Sequence, residues 1–304
     1  MQTFHRRLPR ELPIFLFLAV LCAALALSTD VFLSGSNLKV LGADAAAVGI
    51  MSVGMTAVVL TGGIDLSVAA ILAVSALIGG QVIAGGHAAL GCLAAVAAGA
   101  ACGAFNGGLV TFAGMPPIIA TLGTLNILQA GATLFSGGQC IILEPNRVAI
   151  LGTGFAPMLI MLVVFASGMA VTRLTRTGRY IYAVGGNEES ARLAGVSARQ
   201  VKVCVYTASG ALAALAGLVM LGIGSTFQAN DALGYELAVI AAVVVGGTSI
   251  SGGQGSMLGT LIGVGISTVL RNGAILVGLD ARWAQPVTGV AIFLAVLVDR
   301  FRRR

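Results

Sequence analysis

Residues 173–202 read RLTRTGRYIYAVGGNEESARLAGVSARQVK, the one long polar excursion in the middle of an otherwise apolar chain. The stretch holds six of the seventeen lysines and arginines (Arg173, Arg176, Arg179, Arg192, Arg199, Lys202) and two of the eleven acids, Glu188 and Glu189. Asn187 is a good N-cap, and the glutamates after it put negative charge in a first helical turn, where the helix dipole favours it. Gly195 can close that helix in the left-handed conformation. The predicted helix has about two turns, too short to hold alone in water, so it needs a surface to lie against. Ser197-Ala-Arg-Gln200 is an S-x-x-Q capping box that starts the next long helix. Two readings stand side by side: an ordinary solvated loop between two spans, or a docking helix for a soluble partner.

Outward from this loop everything reads as membrane. The chain has 304 residues, 58% of them hydrophobic and only 9% charged, with a mean hydropathy of +1.01. A soluble domain of this size carries far more charge. Several apolar runs reach the roughly 20 residues needed to cross a bilayer. The fold class is therefore an all-α polytopic membrane protein, a single transmembrane domain over residues 1–304. The 43 glycines fit close helix packing in lipid. Gly99, Gly103 and Gly107 recur every fourth residue, as do Gly255, Gly259 and Gly263, and each row reads as a packing face. Five cysteines form no spaced pairs and read as small packing residues.

Apolar runs mark candidate helices at 12–27 and near 40–60, 64–84, 88–112, 117–135, 155–172, 203–223, 235–250, 255–270 and 283–299, about ten in all with a range of 8–10. The basic start Met1–Arg10 followed by Leu12–Leu27 resembles a signal peptide, but the many spans that follow favour an uncleaved first span. With ten spans, both termini and the 173–202 loop share one side. That side carries thirteen basic residues against four (Lys39, Arg147, Arg271, Arg282) on the other, which places the termini and the loop in the cytoplasm.

Polar residues inside apolar surroundings are the functional candidates. Asp65 lies in TGGIDLS (61–67), and a charge at a helix centre costs roughly 2.5–3.5 kcal/mol on insertion scales. It reads either as a cap for a helix beginning at Leu66 or as part of a pathway at a broken helix. Asn106, Thr121, Thr124 and Asn126, with Gln129, suit a neutral hydroxyl-rich solute, and equally serve interhelical hydrogen bonding. Ala57–Gly63 (AVVLTGG) resembles Ala242–Gly247 (AVVVGG), about 185 residues on, a possible internal repeat. Ser-Gly-Gly-Gln at 136–139 and 251–254 echoes an ATPase signature, but no G-x-x-x-x-G-K-[ST] loop exists to cradle a phosphate. No catalytic constellation and no metal-ligand cluster is expected, nor any bound cofactor, and the net charge of +6 is a mark of membrane orientation rather than of nucleic-acid binding.

TGGIDLS (61–67), NGGLVTFAGMPPIIATLGT (106–124), GRYIYAVGGNEESARLAGV (178–196) and GYELAVIAAVVVGGTSISGGQGSMLGTLIG (234–263) together resemble the permease subunit of ribose-type ATP-binding-cassette (ABC) sugar importers. The resemblance runs in order and spacing from about residue 40 to 299. It implies a bacterial inner-membrane permease working as a homo- or heterodimer, a separate cytoplasmic ABC ATPase that binds the ATP, and a periplasmic sugar-binding protein. It also implies a cytoplasmic coupling helix at Gly186–Gly195, with Asn187 capping it, Glu188, Glu189 and Arg192 making polar docking contacts and Leu193 packing. Asn230, Asp231, Arg271 and Asn272 are the expected periplasmic docking residues. An ion-coupled secondary transporter of a small neutral solute is the competing expectation, with Asp65 its main relay group.

Overall fold

The structure, a computed structural model, describes residues 11–278. The candidate span near 283–299, the Met1–Arg10 segment, Arg282 and the Arg300–Arg304 tail lie outside the described residues. In chain order the helices are α1 (Leu12–Ser28), α2 (Gly35–Leu60), α3 (Val68–Ala84), α4 (Ala88–Thr111), α5 (Pro117–Ser136), α6 (Ala156–Leu174), α7 (Arg176–Gly186), α8 (Glu188–Leu193), α9 (Ala198–Gly224), α10 (Tyr235–Val245) and α11 (Met257–Leu276). Six of these, α2, α4, α5, α6, α9 and α11, are long and apolar enough to cross a membrane, and α1 and α3 are shorter apolar helices of 17 residues.

Every apolar run predicted within the described residues is a helix, with shifted ends. α3 starts at Val68 rather than near residue 64, because Asp65 and Ser67 form a turn ahead of it. α10 stops at Val245, five residues early, where Gly246 and Gly247 end it. α9 starts at Ala198, where Ser197 Oγ accepts from the Gln200 N–H. α7 is the one helix with no counterpart among the predicted spans or the predicted short loop helix. Thr175 caps it, its hydroxyl accepting from the Gly178 N–H at 3.2 Å, and Gly178, Ile181 and Val184 form its buried face. Two arginines, Arg176 and Arg179, on so short a segment concealed that face.

α2 and α9 occupy the centre. Met51, Met55, Ile50 and Leu60 of α2 and Tyr206, Ala213 and Leu221 of α9 are all buried. The first glycine row brings α4 onto α9: a Cβ at Gly99 would strike the Gly210 carbonyl, one at Gly103 the Tyr206 carbonyl, and one at Gly107 would lie 2.8 Å from Val203 Cα. In the second row Gly259 and Gly263 bring α11 against Ala242 of α10 and Gly246 at its C-cap. Gly255 is not on that helix face; it lies in the loop before α11. By contrast α4, α5 and α6 turn large apolar side chains outward, among them Leu93, Phe105, Ile127, Leu134 and Val163. That outer surface needs lipid or another protein against it.

Contacts sort the loops into two ends. At one end Ser256 Oγ donates to Glu11 Oε1 at 2.7 Å, the Tyr182 hydroxyl donates to the Gly255 carbonyl at 2.9 Å, and the Gly253 N–H donates to the Leu60 carbonyl at 2.9 Å. At the other, Ile141–Ile142 pairs antiparallel with Thr226–Phe227 in a two-residue ribbon, Lys39 lies 5.7 Å from the Phe155 ring centre, and Asn37 and Asn272 pair. Residues 173–202 thus share an end with Glu11, and the loops 136–154 and 224–234 meet at the opposite end, the division that ten spans require.

Candidate functional site

The polar loop forms two helices set at an angle. α7 runs to Gly186, Asn187 adopts an extended conformation (φ −161°), and α8 follows. Asn187 Oδ1 accepts from the Ser190 N–H at 2.8 Å, the expected N-cap. At the far end Gly195 takes φ +83°, with its N–H on the Arg192 carbonyl at 3.0 Å and the Val196 N–H on the Ala191 carbonyl at 2.9 Å. This is the Schellman stop, and Val196 and Ala191 join the same small hydrophobic cluster beneath it. Six residues are thereby held helical by their ends.

The charges of α8 are internally paired. Lys202 Nζ lies 2.6 Å from Glu188 Oε2, tying α8 to α9. Arg192 lies 2.5 Å from Glu189 within α8, and the hydrogen bond to this guanidinium holds the Glu189 carboxyl below its ordinary range. Both of these side chains are mostly exposed, so the pair adds little stability. Leu193 is 75% exposed. A large apolar side chain held out on a rigid, doubly capped turn is suited to burial against another protein. Gly186 has open space around it.

The end of α7, just ahead of α8, reaches both helix stops. The two AVV-Gly-Gly segments end their helices identically. After α2, the Gly62 and Gly63 N–H groups bond the Val59 and Val58 carbonyls; after α10, the Gly247 and Thr248 N–H groups bond those of Val244 and Val243. Gly62 and Gly247 take φ +80° and +86°. The bonds match at a constant offset of 185 residues, the spacing of the predicted repeat. Gly185, one turn before α8, sits where these stops meet: a Cβ there would collide with the Leu60 carbonyl and come 2.7 Å from the Gly253 nitrogen.

The first stop carries the buried polar group. Asp65 Oδ1 accepts from the Ser67 N–H at 3.0 Å and from its hydroxyl at 2.6 Å, and Asn106 Nδ2 donates to Ser67 Oγ at 2.7 Å. Thr121 Oγ1 accepts from the Leu66 N–H and donates to the Ile64 carbonyl. Asp65, Asn106 and Thr121 are all fully buried, so three of the five pathway candidates meet around one turn. Asp65 Oδ2 and Asn106 Oδ1 have no hydrogen-bond partner among the described residues. Asp65 braces the turn ahead of α3 through Ser67; the helix itself begins at Val68, not Leu66, and has no side-chain cap. Thr124 is elsewhere, bonding the Ala120 carbonyl of its own helix. Asn126 is exposed on α5, its amide donating only to the Leu122 carbonyl.

At the opposite end Asn230, Asp231 and Arg271 are exposed. Asn230 accepts from Gln129, and Asp231 closes a short turn by accepting from the Gln228 N–H. Asn272 points inward: it and Asn37 exchange amide bonds at 2.9 and 3.1 Å, both buried. The sequence reading overlooked Asp44, a half-buried acid within α2. Its place inside an apolar run was the available signal.

Among the described residues no group of three or more His, Cys, Asp or Glu could hold a metal ion. A family profile described as "Branched-chain amino acid transport system / permease component" matches residues 39–297. The ribose import permease protein RbsC of Escherichia coli (strain K12) is 38% identical over 292 residues, covering 93% of this chain and 91% of the relative. RbsC of Bacillus subtilis (strain 168) is 38% identical over 304 residues, 94% of this chain and 91% of the relative. The fructose import permease protein FrcC of Rhizobium meliloti is 33% identical over 319 residues, 100% of this chain and 89% of the relative. No solved structure matches the chain. With a profile spanning most of its length and relatives this similar from end to end, the chain belongs to the family of transport-system permease components.

Proposed function

We propose that this protein is the membrane-spanning subunit of an ABC importer that carries a monosaccharide or related polyhydroxylated solute across a bacterial inner membrane. The relatives named for ribose and fructose import point to the solute class. The observation that carries the reading is α8, capped at both ends and offering Leu193 to a partner. A cytoplasmic ATPase subunit, which binds the ATP, receives this helix. The Glu11 end then faces the cytoplasm, as the basic-residue bias requires, and both termini lie there. A periplasmic sugar-binding protein docks at the opposite end, over Asn230, Asp231 and Arg271.

Force on α8 passes first to Asn187 and Gly185, and from there to Leu60 and Gly253. Because one contact touches both helix stops, α2–α3 and α10–α11 move together. The solute path runs along α5 against a second permease subunit. A primary amide facing hydrocarbon with only its own helix for a partner is costly, so Asn126 faces that partner or the path.

A tagged copy purified from its native membrane in mild detergent tests the proposal. An ATPase subunit is expected to copurify, with or without a second permease chain. Recovery of this chain alone, with uptake abolished by a protonophore, would overturn the reading in favour of an ion-coupled carrier.

A further inference from the structure

α7 has a second face that neither its packing nor the docking of α8 uses. Arg176, Arg179, Tyr180 and Ala183 are exposed at the i, i+3, i+4, i+7 spacing of one helix face, opposite Gly178, Ile181 and Val184, which are buried. Arg173, in the last turn of α6 on the other side of the bend at Thr175, is also exposed at this end. Among the described residues Arg173, Arg176 and Arg179 make no ion pair and no side-chain hydrogen bond. The loop's two carboxylates are engaged elsewhere, Glu188 by Lys202 and Glu189 by Arg192. Among the described residues, then, no carboxylate forms an ion pair with these three guanidiniums.

What lies beside them identifies the partner. Leu174, between Arg173 and the bend at Thr175, is 78% exposed at the end of a span, and Tyr180 is 41% exposed. A leucine so exposed at the end of a span suits the bilayer interface, and Arg173 and Arg176 stand beside it, residue types that favour headgroup level. Arg recognises phosphate with a bidentate fork. The exposed Leu193 of α8 lies beyond the far end of α7, about 16 Å of helix from Arg176 by the rise per residue. The arginine row is thus separate from the protein-docking turn. We infer that Arg173, Arg176 and Arg179, with Tyr180, form a binding surface for the phosphate headgroups of anionic phospholipids in the leaflet from which α6 emerges. α7 is then held down by lipid along one side while its far end presents α8, and this holds whether the partner of α8 is an ATPase or not.

The test uses the purified full-length protein in bilayer nanodiscs of phosphatidylcholine and phosphatidylglycerol, extracted into mild detergent, with retained lipid counted by native mass spectrometry. Wild type is expected to retain phosphatidylglycerol several-fold above its share of the bilayer. The triple variant R173Q/R176Q/R179Q is expected to lose that enrichment, and R173K/R176K/R179K to keep part of it, each with the elution profile and melting temperature of wild type. No enrichment in wild type, which needs no variant, overturns the proposal. So does enrichment unchanged in the glutamine variant, and so does complete displacement by excess inorganic phosphate, which would mark a site for a free anion. Loss of ATPase binding in the glutamine variant without any lipid preference in wild type would give the row to a soluble acidic partner instead.

Discussion

The Gly253 N–H donates to the Leu60 carbonyl at 2.9 Å, so the loop after the second helix stop satisfies the final carbonyl of the helix that ends at the first. Gly185 closes over this bond with no room for a Cβ, whereas its neighbour Gly186 has nothing within 4 Å. Gly185→Ala forces backbone apart and should cost about 1–3 kcal/mol, the usual range for overpacking. Gly186→Ala should leave the melting temperature near wild type. A melting series in detergent checks the contrast, and equal shifts for the two variants would remove the junction from the account.

Leu193→Ser alters an exposed residue and should change stability by no more than about 0.5 kcal/mol. It should nevertheless reduce copurification of the ATPase subunit sharply. The double variant E189Q/R192Q should uncouple ATP hydrolysis from uptake with the permease still in the membrane. Uptake at the full wild-type rate in either variant counts against α8 as the contact.

Asp65 separates capping from charge. Asp65→Asn keeps an oxygen for the Ser67 N–H and hydroxyl, while Asp65→Ala leaves both buried donors without an acceptor, a loss of about 1–3 kcal/mol. A capping role therefore predicts near-normal uptake in Asp65→Asn and a lowered melting temperature in Asp65→Ala. Uptake abolished in a stable Asp65→Asn protein would show that the charge itself is used in transport.

The Asn37–Asn272 pair predicts a double-mutant cycle. Asn37→Ala strands a buried amide and should cost about 1–3 kcal/mol, and Asn272→Ala likewise. Replacing both by alanine removes the stranded groups and should cost less than the sum of the single changes. Additive losses would mean that the two amides act independently.

Asn126→Leu should leave the isolated permease as stable as wild type, since the amide bonds only its own helix. Uptake should fall with the protein level unchanged. Wild-type uptake would place the solute path away from this face of α5.

Much of this was readable from residue chemistry. Asn187, Gly195 and Ser197 are local signals, and each caps where its type demands. Apolar run length located the spans, because burial in lipid needs little else. The spacing of 185 residues between the two glycine stops was legible because it repeats a backbone geometry, not a contact. What stayed hidden depends on partners distant in sequence. Nothing local to Asn272 announces Asn37, 235 residues away. Asn106 and Thr121 bond the turn that holds Asp65, while Asn126, on the same helix as Thr121, is exposed. α7 was concealed for a different reason: its buried face is only Gly178, Ile181 and Val184, too narrow to outweigh its arginines in a hydropathy pattern.

The glycine seam between α4 and α9 has a mechanical consequence. Helices normally meet through interleaved side chains, at axis separations of about 8–10 Å, and rotamer changes give such joints slack. Here Gly99 faces Gly210, and Gly103 faces the Tyr206 carbonyl, backbone on backbone with nothing between them to reshuffle. The two rods form a single stiff beam without backlash. α9 begins four residues after Ala194, the C-cap of α8, and is tied to α8 by Lys202 and Glu188, so under the proposed function a push at Leu193 also enters this beam, and compliance would have to come from the helices that lack such a seam.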